Sequence, residues 1–103
     1  MENLDLHDAV LESINVNWKA QTVILQLGEF GTRNKINITA HHLKKLSVPR
    51  ENPWGDSESV NEATAPKLQD NGNYLYKIEM QSGDVIEIEA KSFEVKKESA
   101  STA

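Results

Sequence analysis

The sequence holds no cysteine. That excludes disulfides, thiolate metal ligands and cysteine nucleophiles, and it fits a reducing compartment. Aromatic residues are few, two each of Trp, Tyr and Phe. No apolar run approaches the ~18 residues that a membrane helix needs. The opening, Met1-Glu2-Asn3-Leu4-Asp5, has neither the basic nor the apolar region of a signal peptide. The expectation is a cytoplasmic protein with no membrane association. There is no Gly-x-Ser-x-Gly, no P-loop, no dinucleotide-binding glycine fingerprint and no His-Glu-x-x-His. The sequence thus supports no catalytic chemistry and no cofactor, and the chain is expected not to be an enzyme.

What is present is the composition of a folded domain. The 103 residues are 38% hydrophobic and 26% charged, enough for one domain with a modest core. Residues 1–95 are expected to form it, with 96–103 a small polar tail that frays. Net charge is −5 and unevenly placed. Residues 31–50 carry Arg33, Lys35, Lys44, Lys45 and Arg50 and no acid, whereas both flanking segments are acidic. An acidic whole argues against nucleic acid, where phosphate contacts dominate affinity. The basic segment suits an acidic partner, or it is a solvated face paired with acids on neighbouring strands.

Period-two alternation dominates, which predicts strands. Val10, Ile14, Val16 and Trp18 mark a first strand over about 10–19. Leu6, Val10, Leu11 and Ile14 also fit a short helix over 6–14. A second strand covers 22–27, and Gly28-Glu29-Phe30-Gly31 ends it. Ile36, Ile38 and Ala40 make a third. Residues 41–48 either extend it past a bulge, with Leu46 and Val48 inward, or form a helical turn around Leu43. Val60, Glu62 and Thr64 start a weaker fourth. Asp70-Asn71-Gly72-Asn73 predicts a type I′ hairpin turn into a strand over 74–80. Ser82-Gly83-Asp84 turns again into a last strand from Ile86, whose alternation shifts by one near Ser92, as at a bulge. Trp18, Tyr74 and Tyr76 are expected to line the core or cover one sheet face. The predicted fold is all-β, a small antiparallel meander of about six strands forming a sandwich or strongly curved sheet, with one short helix as the variant.

The candidate sites are few. His7-Asp8 could be half of a metal site or an acid/base pair, but neighbours on a regular strand point to opposite faces. The competing assignment makes Asp8 a turn or helix cap with His7 packed at the sheet edge. His41-His42 diverges for the same reason. These four residues are the weak candidates for a metal, and a small hydrolase using the His-Asp pair is the least supported reading. The most unusual segment is 48–57, Val-Pro-Arg-Glu-Asn-Pro-Trp-Gly-Asp-Ser. Its prolines stiffen it and fix its aromatic and cationic side chains at low entropy cost. Arg50, Asn52, Trp54, Asp56 and Ser57 are the candidate binding residues, since Trp and Arg are enriched at binding hot spots. Trp54 is either such an anchor or a lid over the open end of the sheet.

Two stretches carry a resemblance: Leu6-His7-Asp8-Ala9-Val10-Leu11-Glu12-Ser13-Ile14, and Asn52-Pro53-Trp54-Gly55-Asp56-Ser57-Glu58-Ser59-Val60-Asn61-Glu62. Together they resemble small uncharacterised bacterial β proteins with an N-terminal His-Asp and a Pro-Trp-Gly loop, some grouped with the immunity proteins of bacterial toxin systems. The resemblance spans about 6–95 and implies a bacterial, cytoplasmic, β-rich protein that binds another protein, a toxin among the candidates. It carries no catalytic residues. A small-molecule or metal-binding β domain is the alternative.

Overall fold

The computed structural model describes residues 5–51 and 58–98. Among them are seven strands and no helix: β1 (Val10–Asn17), β2 (Thr22–Gly28), β3 (Lys35–Ser47), β4 (Val60–Ala63), β5 (Lys67–Leu68), β6 (Tyr74–Met80) and β7 (Val85–Glu98). Every pairing is antiparallel. The order is β1-β2-β3-β7-β6-β4, with β5 also beside β6. The all-β expectation holds, with one strand more than predicted. The short pair Lys67–Leu68 escaped notice because two residues carry no periodicity. β7 runs to Glu98, three residues into the stretch read as a tail.

Two long strands shape the domain. In β3 the buried residues are Ile36, Ile38 and Ala40, and then the inward position moves to Leu43. In β7 they are Ile86, Ile88 and Ala90, and then Phe93 and Val95. Both strands change phase at the same level, because His41 pairs Ser92 and Leu43 pairs Ala90. A strand that keeps facing the core while changing phase must bend there. The bend is marked by His42, which sits at φ 56°, a left-handed conformation that costs an L-residue energy. A ladder irregularity follows between Leu43 and Lys45. The predicted extension of the third strand past a bulge is thus correct, whereas the second bulge, predicted near Ser92, is not there: only the facing direction shifts at that residue.

The bend divides the sheet into two layers. β1 pairs with β2 and β2 with the first half of β3, which in turn pairs with the second half of β7. β6 pairs with the first half of β7, and β4 pairs with β6. Val23, Leu25, Leu27, Ile36 and Ile38 from one layer meet Tyr76, Ile78, Met80, Ile86 and Ile88 from the other in a single core. The outermost strands approach at one end only, through a bridge between Val10 and Ser59. The sheet is therefore strongly curved but not closed into a barrel.

Several local expectations need correction. Residues 6–14 form no helix. Their backbone is committed across the sheet, with Asp8 N–H donating to Val60 C=O and Leu11 N–H to Glu58 C=O. Trp18 is not core: it lies in the turn after β1 and is 87% exposed. Val16, on the same row, is exposed because β1 is an edge. Of the two tyrosines only Tyr76 is buried, and Val48 points outward rather than in. The turn at Asn71-Gly72 is not type I′, since only Gly72 has positive φ, at 85°. Gly72 N–H donates to Gln69 C=O and Gln69 N–H to Asn73 C=O. The loop therefore has three residues, and such loops use a type I turn closed by a left-handed glycine.

Candidate functional site

The His7-Asp8 pair sits in the turn before β1. Leu6 is driven into the core and is 1% exposed. Ala9 N–H closes the turn onto Leu6 C=O at 2.9 Å. Asp8 adopts φ 65°, a conformation Asp tolerates better than most L-residues. Its Oδ1 accepts from Gln81 Nε2 at 2.5 Å, tying the turn to the β6–β7 hairpin. His7 Nδ1 lies 2.7 Å from Asn61 C=O and Nε2 lies 3.5 Å from Asp8 Oδ2. The pair is a clasp between the N-terminal turn, β4 and the β6–β7 turn. Among the described residues, neither ring nitrogen is held by a hydroxyl that it could activate.

The clasp has a pH signature. The Asn61 carbonyl, then the Asp8 carboxylate, hold the His7 pKa above its ordinary 6.5. A raised folded pKa means that the protonated form favours folding. The contribution is complete below about pH 6.5 and fades as pH rises through the higher folded value. The melting-temperature gap between wild type and His7→Ala should therefore be widest in mild acid and shrink above neutrality. A gap that widens with pH would contradict the clasp.

His41 and His42 do not join this cluster. His41 Nε2 faces Glu94 Oε1 at 3.5 Å on the outer sheet face, and His42 is exposed at the bend. Among the described residues, no three His, Asp or Glu side chains are grouped so as to hold a metal ion.

Of the basic segment, Lys35 pairs with Glu12 at 2.5 Å. Arg33, Lys44, Lys45 and Arg50 form no ion pair among the described residues. Among the described residues, pairing within the sheet therefore absorbs one of the five cations.

Arg50 is the described member of the predicted binding set; Asn52, Trp54, Asp56 and Ser57 lie outside the described residues. Arg50 is exposed at the rim of a cleft of about 240 Å³ between the edge of β1 and the chain leaving β3. Leu11 and Ile14 form one wall, Val48 and Pro49 the other, and Met80 and Ile86 line it from the core. Glu12 and Glu58 complete the lining. The cleft exists because each layer has an open edge here. β2 pairs only the first half of β3, and past Leu43 the second half has no strand on that side among the described residues. Sequence reading located Arg50 but missed β1 as its neighbour. The available signal was the uncharged run Ser13-Ile14-Asn15-Val16-Asn17-Trp18, unusual for a sheet edge.

Compared with known proteins, the chain matches no family model, no curated sequence and no solved structure.

Proposed function

We propose that this domain works by binding another polypeptide chain, on the side formed by the β1 edge and the cleft beside Arg50. The observation that supports it is the cleft itself: apolar walls with an exposed arginine at the rim that forms no ion pair among the described residues. Apolar centres with aromatic or arginine anchors are where binding energy concentrates. Lys44 and Lys45 lie in the strand that leads to Arg50, form no ion pair among the described residues, and favour a partner carrying acidic groups. The resemblance to immunity-type proteins narrows the partner to a bacterial toxin in the cytoplasm, neutralised by covering its surface rather than by chemistry.

The test is capture of a stoichiometric partner from lysate of the source organism by tagged wild type, run beside Arg50→Ala. Arg50 is exposed, so the variant should keep its fold. The affinity should fall by roughly 30-fold or more, the scale of a hot-spot arginine. Capture that is unchanged by the substitution, or no capture in repeated runs, overturns the reading.

A further inference from the structure

Beyond Leu11, the outer edge of β1 has no strand partner among the described residues. Sheet edges left to solvent are ordinarily blunted by charge, proline or a bulge. The bulge of β1 lies earlier, between Leu11 and Ser13, and residues 13–18 contain neither charge nor proline. Along this edge Ile14 is half-buried, Val16 is 48% exposed and Trp18 is 87% exposed.

We propose that this edge pairs antiparallel, about a two-fold axis, with the same edge of a second copy of the chain. The inference rests on the binding reading above only in taking this side as a binding surface, and it puts a second copy, in place of a toxin, against it. With the axis at Asn15, that residue faces its own counterpart, Ile14 faces the second copy's Val16, and Ser13 faces its Asn17. Directly opposed residues in an antiparallel pair project to the same side. The apolar row of each copy therefore meets the apolar row of the other, and polar meets polar on the outer face. A register shifted by one residue sets Val16 against a polar residue instead, so the side-chain pattern disfavours it.

The same register uses the cleft. Trp18 follows Val16 by two positions and lies opposite Glu12 of the other copy, which lines the cleft mouth. The indole then has Leu11, Ile14, Val48 and Pro49 to pack against, and Arg50 stands beside it for a cation–π contact. By symmetry this happens twice. Two covered indoles at about 150–250 Å² each, added to the ladder, bring the contact to the order of the roughly 1,000 Å² that a specific interface requires.

Sedimentation equilibrium across a concentration series tests this. Wild type should sediment at twice its chain mass of 11.5 kDa. Asn15→Lys places two cations face to face on the axis and should yield a folded monomer, since Asn15 is exposed. Asn15→Glu should do the same. An equal mixture of the two should recover the dimer, because Lys then faces Glu. Trp18→Ala should weaken association roughly tenfold or more. Wild type at 11.5 kDa throughout, or a dimer indifferent to Asn15→Lys, overturns the proposal. A wild-type monomer that still captures a partner through Arg50 overturns the dimer and leaves the binding reading standing. A monomer that captures nothing overturns both.

Discussion

Tyr76→Ala should lower the stability of the domain by about 3–5 kcal/mol, enough to unfold a large share of the protein at physiological temperature. Marginal domains hold only about 5–15 kcal/mol in all. Tyr76 is 1% exposed and is among the largest fully buried side chains of the described residues. Its ring meets Phe93 edge-on, with centroids 5.5 Å apart and planes at 84°, a favoured aromatic geometry. The contact crosses the bend. Tyr76 pairs with Ile88 in one layer, while Phe93 pairs with Ala40 in the other. Truncation therefore leaves a cavity at the joint between layers, where neighbours on two sheets would have to move together to fill it. Tyr76→Phe keeps the ring contact and should cost less than roughly 1.5 kcal/mol. Burial pushes the Tyr76 hydroxyl pKa up to about 12. Urea melts with a steep loss for Ala and a small one for Phe would confirm the account. Equal losses would point to the hydroxyl instead.

Much of this fold was readable because period two is a direct image of the pleat. Val23, Leu25 and Leu27, and likewise Ile86, Ile88 and Ala90, alternate without interruption and are all buried. Alternation gives facing direction within a strand, but not which strand lies at an edge. That is why Val16 and Trp18 looked like core and are exposed: their row faces inward, but the opposite layer does not extend far enough to cover it. Val10, expected on the same row, faces outward, because the bulge after Leu11 changes the phase of β1. The bend was half visible, as the phase change after Ala90. Its place in the ladder depends on pairing with β3, a contact across some fifty residues that no local pattern encodes.

The candidate site was less legible for the same reason. Arg50 stood out by composition and by its stiffened neighbourhood. The cleft beside it is built from Leu11, Ile14, Met80 and Ile86, ordinary strand residues whose convergence is a consequence of topology. The His-Asp pair had the opposite fate. It looked chemical in sequence, and the structure gives both residues structural partners: Asn61 for His7 and Gln81 for Asp8.

Leu6→Ala should therefore do more harm than His7→Ala, although histidine looks like the functional residue of that motif. Leu6 lies outside every strand yet is 1% exposed. It plugs the end of the sandwich where β1 and β4 meet. Its loss should cost about 2–5 kcal/mol, the range for a buried leucine. The damage should also reach the proposed binding side. The turn that Leu6 anchors presents Ala9 C=O to Val60 N–H and leads into Leu11, whose N–H binds Glu58 C=O, and Leu11 and Glu58 both line the cleft. His7 is largely solvated, and its removal should shift the melting temperature only slightly and in the pH-dependent manner given above. The comparison is a pair of thermal melts at neutral pH, with partner capture measured below both transitions. A large loss for Leu6→Ala with little change for His7→Ala identifies the motif as an anchor that sets the start of β1. If His7→Ala abolished function while the melting temperature stayed unchanged, the motif would instead be a site in its own right.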